Sequence, residues 1–281
     1  MAEVSAKDVA ALRKQTGAGM MDCKKALDET GGDLEAAKSW LRERNLAGSS
    51  KRAGREAAEG TVDVAVAGKT GAIVELNCET DFVAKGAPFT QFVERLTRHV
   101  AEHGDDDLAG QPFDGSTVGE AVTQLGGSLG EKVELGRVVR YEAPDGLLDV
   151  YKHVQNERGV IGVLVELAGV DPSDTTAQEI AHDLALHIAS AAPRYVSRAD
   201  VPADVVDKER GVFEALTRNE GKPEQAIPKI VEGRLTGFFK EVVLLEQGFV
   251  REPKKPVNAL LESLGSDATV RRFARVKIGE D

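Results

Sequence analysis

The chain has 281 residues, beyond the roughly 100 to 200 of a usual single domain, and its 41% hydrophobic and 30% charged residues describe a globular protein of two or three compact units. Its net charge of −11 is uneven: residues 1–55 carry 11 Lys or Arg against 8 Asp or Glu, and the rest carry 25 against 39. So acidic a body repels phosphate backbones, which argues against direct nucleic-acid binding and for a protein partner.

Ser5 and Asp8 have capping-box spacing and predict a helix through about Thr16, with Val9 and Leu12 on one face. Gly17-Ala18-Gly19 stops it. A second helix is predicted from Met21 through Leu27 to Glu29, ending at Gly31-Gly32, and a third starts at Asp33 as N-cap and turns Leu34, Ala37, Trp40 and Leu41 inward. Ala47 to Gly60 is small, polar and basic with no apolar periodicity, and reads as a linker. Beyond it Val62, Val64 and Val66 alternate with Asp63 and Ala65, Gly68-Lys69-Thr70-Gly71 supplies a turn, and Ala72 to Leu76 returns as a strand.

A helix from about Pro88 to His103 follows, with Phe89, Phe92, Val93, Leu96 and Val100 in one stripe. The same strand, strand, helix order recurs at Leu148 to Val154, Val160 to Leu167 and about Thr176 to Ala191. Glu75-Leu76 matches Glu166-Leu167, so the body is predicted to be an internal duplication. Two apolar stripes then flank Asn219 to Pro223: Val205, Glu209, Val212 and Leu216 before it, and Ile227, Ile230, Val231, Leu235, Phe238 and Phe239 after it. That predicts an antiparallel helical hairpin between Asp204 and Val243, its second helix beginning near Ile227 because Pro228 suits only a first helical turn.

No run of about 18 uncharged apolar residues occurs, and Met1 to Asp8 lacks a basic-then-apolar leader, so a cytoplasmic protein with no membrane segment is expected. Cys23 and Cys78 lie far apart with neither His nor Cys at ligand spacing, which indicates neither a disulfide nor zinc. Gly126 to Lys132 lacks the Gly-Lys-Ser/Thr ending of a phosphate loop. His182 and His187, five apart, fall on different helix faces and cannot share a metal. His99 and His103 do share a face, but just before Gly104 they suit a helix C-terminus better than a metal. No nucleophile, base and orienting acid stand out, so no catalytic residue, cofactor or metal is assigned.

Three segments carry a specific resemblance. Thr16 to Leu27 (TGAGMMDCKKAL), Val74 to Lys85 (VELNCETDFVAK) and Val231 to Leu235 (VEGRL) resemble, in the same order, the signatures of the elongation factor Ts family. Glu246 to Val250 is similar to the family's segment after its helical hairpin, and the similarity covers essentially the whole chain. Pro256 departs from the threonine expected there, which bears on the C-terminal contact with a partner.

The resemblance implies an α+β fold: an N-terminal three-helix ubiquitin-associated-like (UBA-like) domain, then a duplicated core of antiparallel sheets and helices with an inserted antiparallel helical hairpin, or coiled coil. Residues 1–50 would be the docking domain, 51–60 the linker, 61–140 the first half of the core and 141–281 the second, with the hairpin at about 204–243. It implies a guanine-nucleotide exchange factor, not an enzyme, that binds elongation factor Tu in its GDP-bound and nucleotide-free forms. Thr80, Asp81, Phe82 and Val83 would disturb the Mg2+ and β-phosphate site of Tu, with Phe82 as the wedge. Arg13, Met20, Met21 and His153 match positions of Tu contact, and a homodimer or a heterotetramer with Tu are both open. From the residues alone, two alternatives stand beside this: a peptide-binding module whose body dimerises, and a metal-dependent enzyme using His99 and His103.

Overall fold

The computed structural model describes residues 4–280. The Ser5 side chain accepts the Asp8 N–H and the Asp8 carboxylate accepts the Ser5 N–H, so a capping box opens α1 (Ala6–Thr16), and Gly17 at φ +68° ends it. Helix α2 (Met20–Glu29) follows, and Asp33 caps α3 (Leu34–Arg52) by accepting the N–H groups of Glu35 and Ala36 at 2.9 and 3.0 Å. Val9, Leu12, Cys23, Ala26, Leu27, Ala37 and Leu41 bury together, with Trp40 half-buried against them. Residues 47–52, expected as linker, continue α3, whose Ala, Arg and Lys content favours helix once a neighbouring element supports it. Six residues, Ala53 to Ala58, then lead to the first strand.

The body opens with the predicted hairpin, β1 (Glu59–Ala67) and β2 (Thr70–Cys78), and a one-turn α4 (Asp81–Ala84). Next come α5 (Ala87–His103), a short pair β3 (Pro112–Phe113) and β4 (Ser116–Thr117), α6 (Val118–Leu129) and β5 (Val133–Glu142). Strand β5 returns antiparallel beside β2, giving the order β1-β2-β5. The stripe Phe89, Phe92, Val93, Leu96 and Val100 of α5 is buried in one core with Val74 and Leu76 of this sheet, as its spacing predicts. Helix α6 has no counterpart among the expected elements. Its three glycines hide it from a propensity reading, although Thr117 and Glu120 form a capping box that marks its start.

The second sheet repeats the topology. Strands β6 (Leu147–Gln155) and β7 (Arg158–Ala168) form a hairpin, α7 (Thr175–Ala191) follows, and a late strand pairs antiparallel with β7. Between them lie α8 (Ala203–Asn219), α9 (Ile227–Val242), β8 (Gly248–Phe249), β9 (Glu252–Pro256) and α10 (Asn258–Leu261), before the closing β10 (Thr269–Lys277). The central strands match in detail. Glu75 and Glu166 are both buried, each beside a β-bulge in the pairing with the third strand, and each is bound by arginine from that strand. Arg137 Nε lies 3.0 Å from Glu75 Oε2, while Arg271 and Arg272 reach the two Glu166 oxygens at 2.5 and 2.6 Å.

Val62, Ile73, Leu164 and Val276 fill the space between the two sheets. The approach is close enough that a Cβ on Gly159 would stand 2.0 Å from the Val62 carbonyl oxygen, so only glycine fits there.

Helices α8 and α9 pack on each other as a hairpin, and α9 begins at Ile227 with Pro228 in its first turn, as expected. The inward face of α8 differs from expectation. Val206 and Phe213 meet Ile227, Val231 and Leu235, and Thr217 is fully buried, whereas Val212 and Leu216 stay 50% and 45% exposed. Adjacent apolar stripes compete on this helix, and the larger Phe213 belongs to the one that packs. Thr217 hides its polarity by donating its hydroxyl to the Phe213 carbonyl at 2.6 Å, which a hydropathy pattern cannot show.

Candidate functional site

Strand β2 delivers the chain to Thr80, whose extended backbone (φ −129°, ψ 149°) and side chain make it the N-cap of α4; its hydroxyl oxygen accepts the Val83 N–H at 3.3 Å. Ala84 is buried, its carbonyl accepting the Thr61 hydroxyl at 3.0 Å, and Val83 is half-buried against the first core. The inner side of the turn is thus fixed. Its outer side carries Phe82, 74% exposed, and Asp81, whose carboxylate lies 3.5 Å from Lys85 Nζ. The Lys85 ammonium stands 5.7 Å from the Phe82 ring centroid. An exposed phenyl ring on a capped turn is costly to hydrate and gains by burial in a partner.

The base of the turn is fastened by groups the sequence reading did not single out. Glu131 accepts the N–H groups of Glu79 and Thr80 and the Thr80 hydroxyl. The Lys132 N–H donates to the Glu79 carboxylate at 2.6 Å and, with Arg55 beside it, holds that carboxyl below the usual range. Cys78 donates its thiol to the Thr80 carbonyl at 3.2 Å, and burial, then the Glu131 charge, push its pKa up to about 12. The signal for Glu131 was available as an acidic residue directly after Gly130, the left-handed glycine that ends α6. Its partners, being distant in sequence, were not.

The remaining predicted residues separate into two places. Arg13 is exposed in the last turn of α1, and Met20 and Met21, 53% and 75% exposed, start α2 just across the Gly17-Ala18-Gly19 turn. These three share the junction of the first two helices. His153 stands apart, exposed on β6 with Nδ1 3.2 Å from the Tyr151 hydroxyl.

His99 and His103 stack at 4.5 Å, and one nitrogen of each already faces protein: His99 Nε2 lies 2.8 Å from Gln111 Oε1, and His103 Nδ1 lies 3.1 Å from the His99 carbonyl. Among the described residues no group of three or more His, Cys, Asp or Glu side chains is placed to hold a metal, and no helix is long and apolar enough to cross a membrane.

A two-sheet scaffold that turns Met20 and Met21 outward at the start of α2, and Phe82 outward on the Thr80-capped turn, belongs to the class of proteins that offer an apolar surface to another macromolecule. Comparison with known proteins narrows the class. Residues 79–280 match the family model "Elongation factor TS", and residues 1–48 match "Elongation factor Ts, mitochondrial, N-terminal". The chain is 45% identical to elongation factor Ts of Micrococcus luteus, over 99% of this chain and all of that one. It is 46% identical to elongation factor Ts of Thermobifida fusca and of Acidothermus cellulolyticus, in both cases over the full length of the two chains. The chain belongs to the elongation factor Ts family, the translation elongation factors that act in protein biosynthesis.

Proposed function

We propose that the protein is the guanine-nucleotide exchange factor of elongation factor Tu. It binds Tu·GDP, Phe82 enters beside the nucleotide site and disturbs the groups that hold Mg2+ and the β-phosphate, and GDP leaves so that GTP can bind. The observation that carries this reading is Phe82 itself, 74% exposed on a turn whose base is tied down by Glu131, Glu79 and Thr61. A ring so mounted delivers its burial energy, roughly 1.5 to 3 kcal/mol, at one place on a partner.

Asp81 positions the partner beside the ring. The first three helices act as a UBA-like docking domain through Arg13, Met20 and Met21, and His153 makes a contact from the second sheet. The α8–α9 hairpin is read as a short coiled coil, and the complex with Tu forms in the cytoplasm, with single and paired complexes both open.

Linkage supplies the energetics. Whatever factor the exchange factor removes from GDP affinity, GDP removes from the affinity of the exchange factor, so the nucleotide-free complex is the tight one. GTP binding reverses it, and no covalent bond changes.

Phe82→Ala tests the reading. Because the ring is exposed, the variant should keep its thermal unfolding midpoint while stopped-flow release of a fluorescent GDP analogue from Tu slows by about tenfold or more. An unaltered release rate would remove the wedge from the mechanism. Mixing with Tu·GDP on a sizing column should give a nucleotide-free complex; its absence would favour the peptide-binding alternative.

A further inference from the structure

The Thr80 to Val83 turn is fastened from outside its own hairpin. The β2–β5 ladder ends at the pair Cys78–Val133, and beyond it the two segments exchange carboxylates instead of backbone groups. One Glu131 oxygen accepts the N–H groups of Glu79 and Thr80, both at 3.1 Å, and the other accepts the Thr80 hydroxyl at 2.6 Å. In return the Glu79 carboxylate accepts the Lys132 N–H at 2.6 Å. Three donors converging on both oxygens leave the Glu131 carboxylate one orientation, and hydrogen bonds to a charged acceptor are about twice as strong as neutral ones.

The Thr80 hydroxyl is the junction. It gives its proton to Glu131 and keeps a lone pair for the Val83 N–H, the bond that caps the turn bearing Phe82. Phe82 is too exposed to be held by packing of its own, so its direction depends on the two ends of the turn: the Ala84 side anchored to Thr61, and the Thr80 side held by that cap. Glu131 also follows directly on Gly130, which ends α6, and α6 is the helix against which α3 packs, with Arg42 paired to Glu120. The latch therefore joins the turn to the element on which the N-terminal helices rest.

We infer that Glu131 is a positioning residue for nucleotide exchange: through Thr80 it holds Phe82 in a fixed direction relative to the docking helices. The inference rests on the exchange function proposed above. Glu131→Ala removes the acceptor, and Glu131→Asp keeps the charge but is one methylene too short to span it. Glu131→Gln retains the reach, since its carbonyl can accept both N–H groups while its amide donates to the Thr80 hydroxyl.

With full-length protein and Tu carrying a fluorescent GDP analogue, Glu131→Ala and Glu131→Asp should lower the maximal release rate about tenfold. The half-saturating concentration should stay within about twofold, because the docking residues are untouched. Glu131→Gln should recover most of the rate. Combining Glu131→Ala with Phe82→Ala should give a rate no lower than Phe82→Ala alone, as expected when one residue acts through the other.

A double variant whose losses multiply, or Ala and Asp variants that release GDP at the parent rate while Phe82→Ala is slow, would overturn the assignment and leave the exchange reading standing. If Phe82→Ala itself is silent, the exchange reading fails first. The latch is then judged separately by amide hydrogen exchange at Thr80 and Val83, which should accelerate in Glu131→Asp relative to Glu131→Gln; equal protection in the two overturns it.

Discussion

Cys78 and Phe82 lie within one short segment and answer to opposite demands. Burial beside Glu131 leaves the Cys78 thiol protonated, with a pKa of about 12, so it is a packing group and a weak donor. Iodoacetamide at about pH 8 should leave Cys78 unmodified in the folded protein and alkylate it once denaturant is added; rapid native labelling, read by mass spectrometry, would contradict that placement. His187 makes a second residue-scale prediction. Its Nδ1 accepts the Val250 N–H, so Nε2 carries the proton and donates to Gln247 Oε1 at 2.8 Å. Burial holds its pKa below the ordinary 6.5, so the unfolded chain takes up the proton more readily than the folded one. Its contribution to stability is therefore complete above 6.5 and is lost as pH falls from there through the folded-state value. Urea midpoints should fall from about pH 7 to about pH 5, with a shallower slope in His187→Gln.

At the scale of elements, buried polar groups mark where the two sheets are alike. Glu166 is fully buried while Arg271 and Arg272 keep part of their side chains in water, so Glu166→Ala should cost about 2 kcal/mol by denaturant unfolding: the bonds are lost but the arginines can rehydrate. The α8–α9 hairpin offers a sharper contrast. Leu235, 1% exposed, should cost about 3 kcal/mol on truncation to alanine, and the exposed Val212 less than about 0.5 kcal/mol. The inward face expected from apolar spacing alone would have put Val212 in the interface. Spacing is blind to which of two adjacent stripes a partner helix covers, and Phe213 and the self-satisfied Thr217 decide it.

For the whole molecule, the N-terminal helices are joined to the body by more than a tether. Helix α3 rests on α6, and Arg55, just after α3, reaches Glu79 at the base of the Phe82 turn. Under the proposed function, removing residues 1–52 should weaken Tu binding at least about tenfold in titration calorimetry, because Arg13, Met20 and Met21 go with them. The two-sheet core should still unfold cooperatively, its interior being built from residues of both sheets. Unchanged affinity would deny the docking role.

Much of this was legible without coordinates. The Ser5–Asp8 capping box, the α5 stripe, the paired hairpins and the start of α9 at Ile227 depend on residues within a turn or two of each other, so the sequence by itself determined them. The family segments singled out Thr80 to Val83 as the candidate site, and the structure makes it a capped turn after β2 with the Phe82 ring outward. Only the tertiary structure decided that β5 and β10 close the two sheets, that Gly159 must pass against Val62, and that a glycine-rich stretch forms α6. It alone brought Glu131 to Thr80 across a separation of 51 residues. Such contacts arise from where the folded chain returns to itself, and no local period, cap or propensity encodes that return.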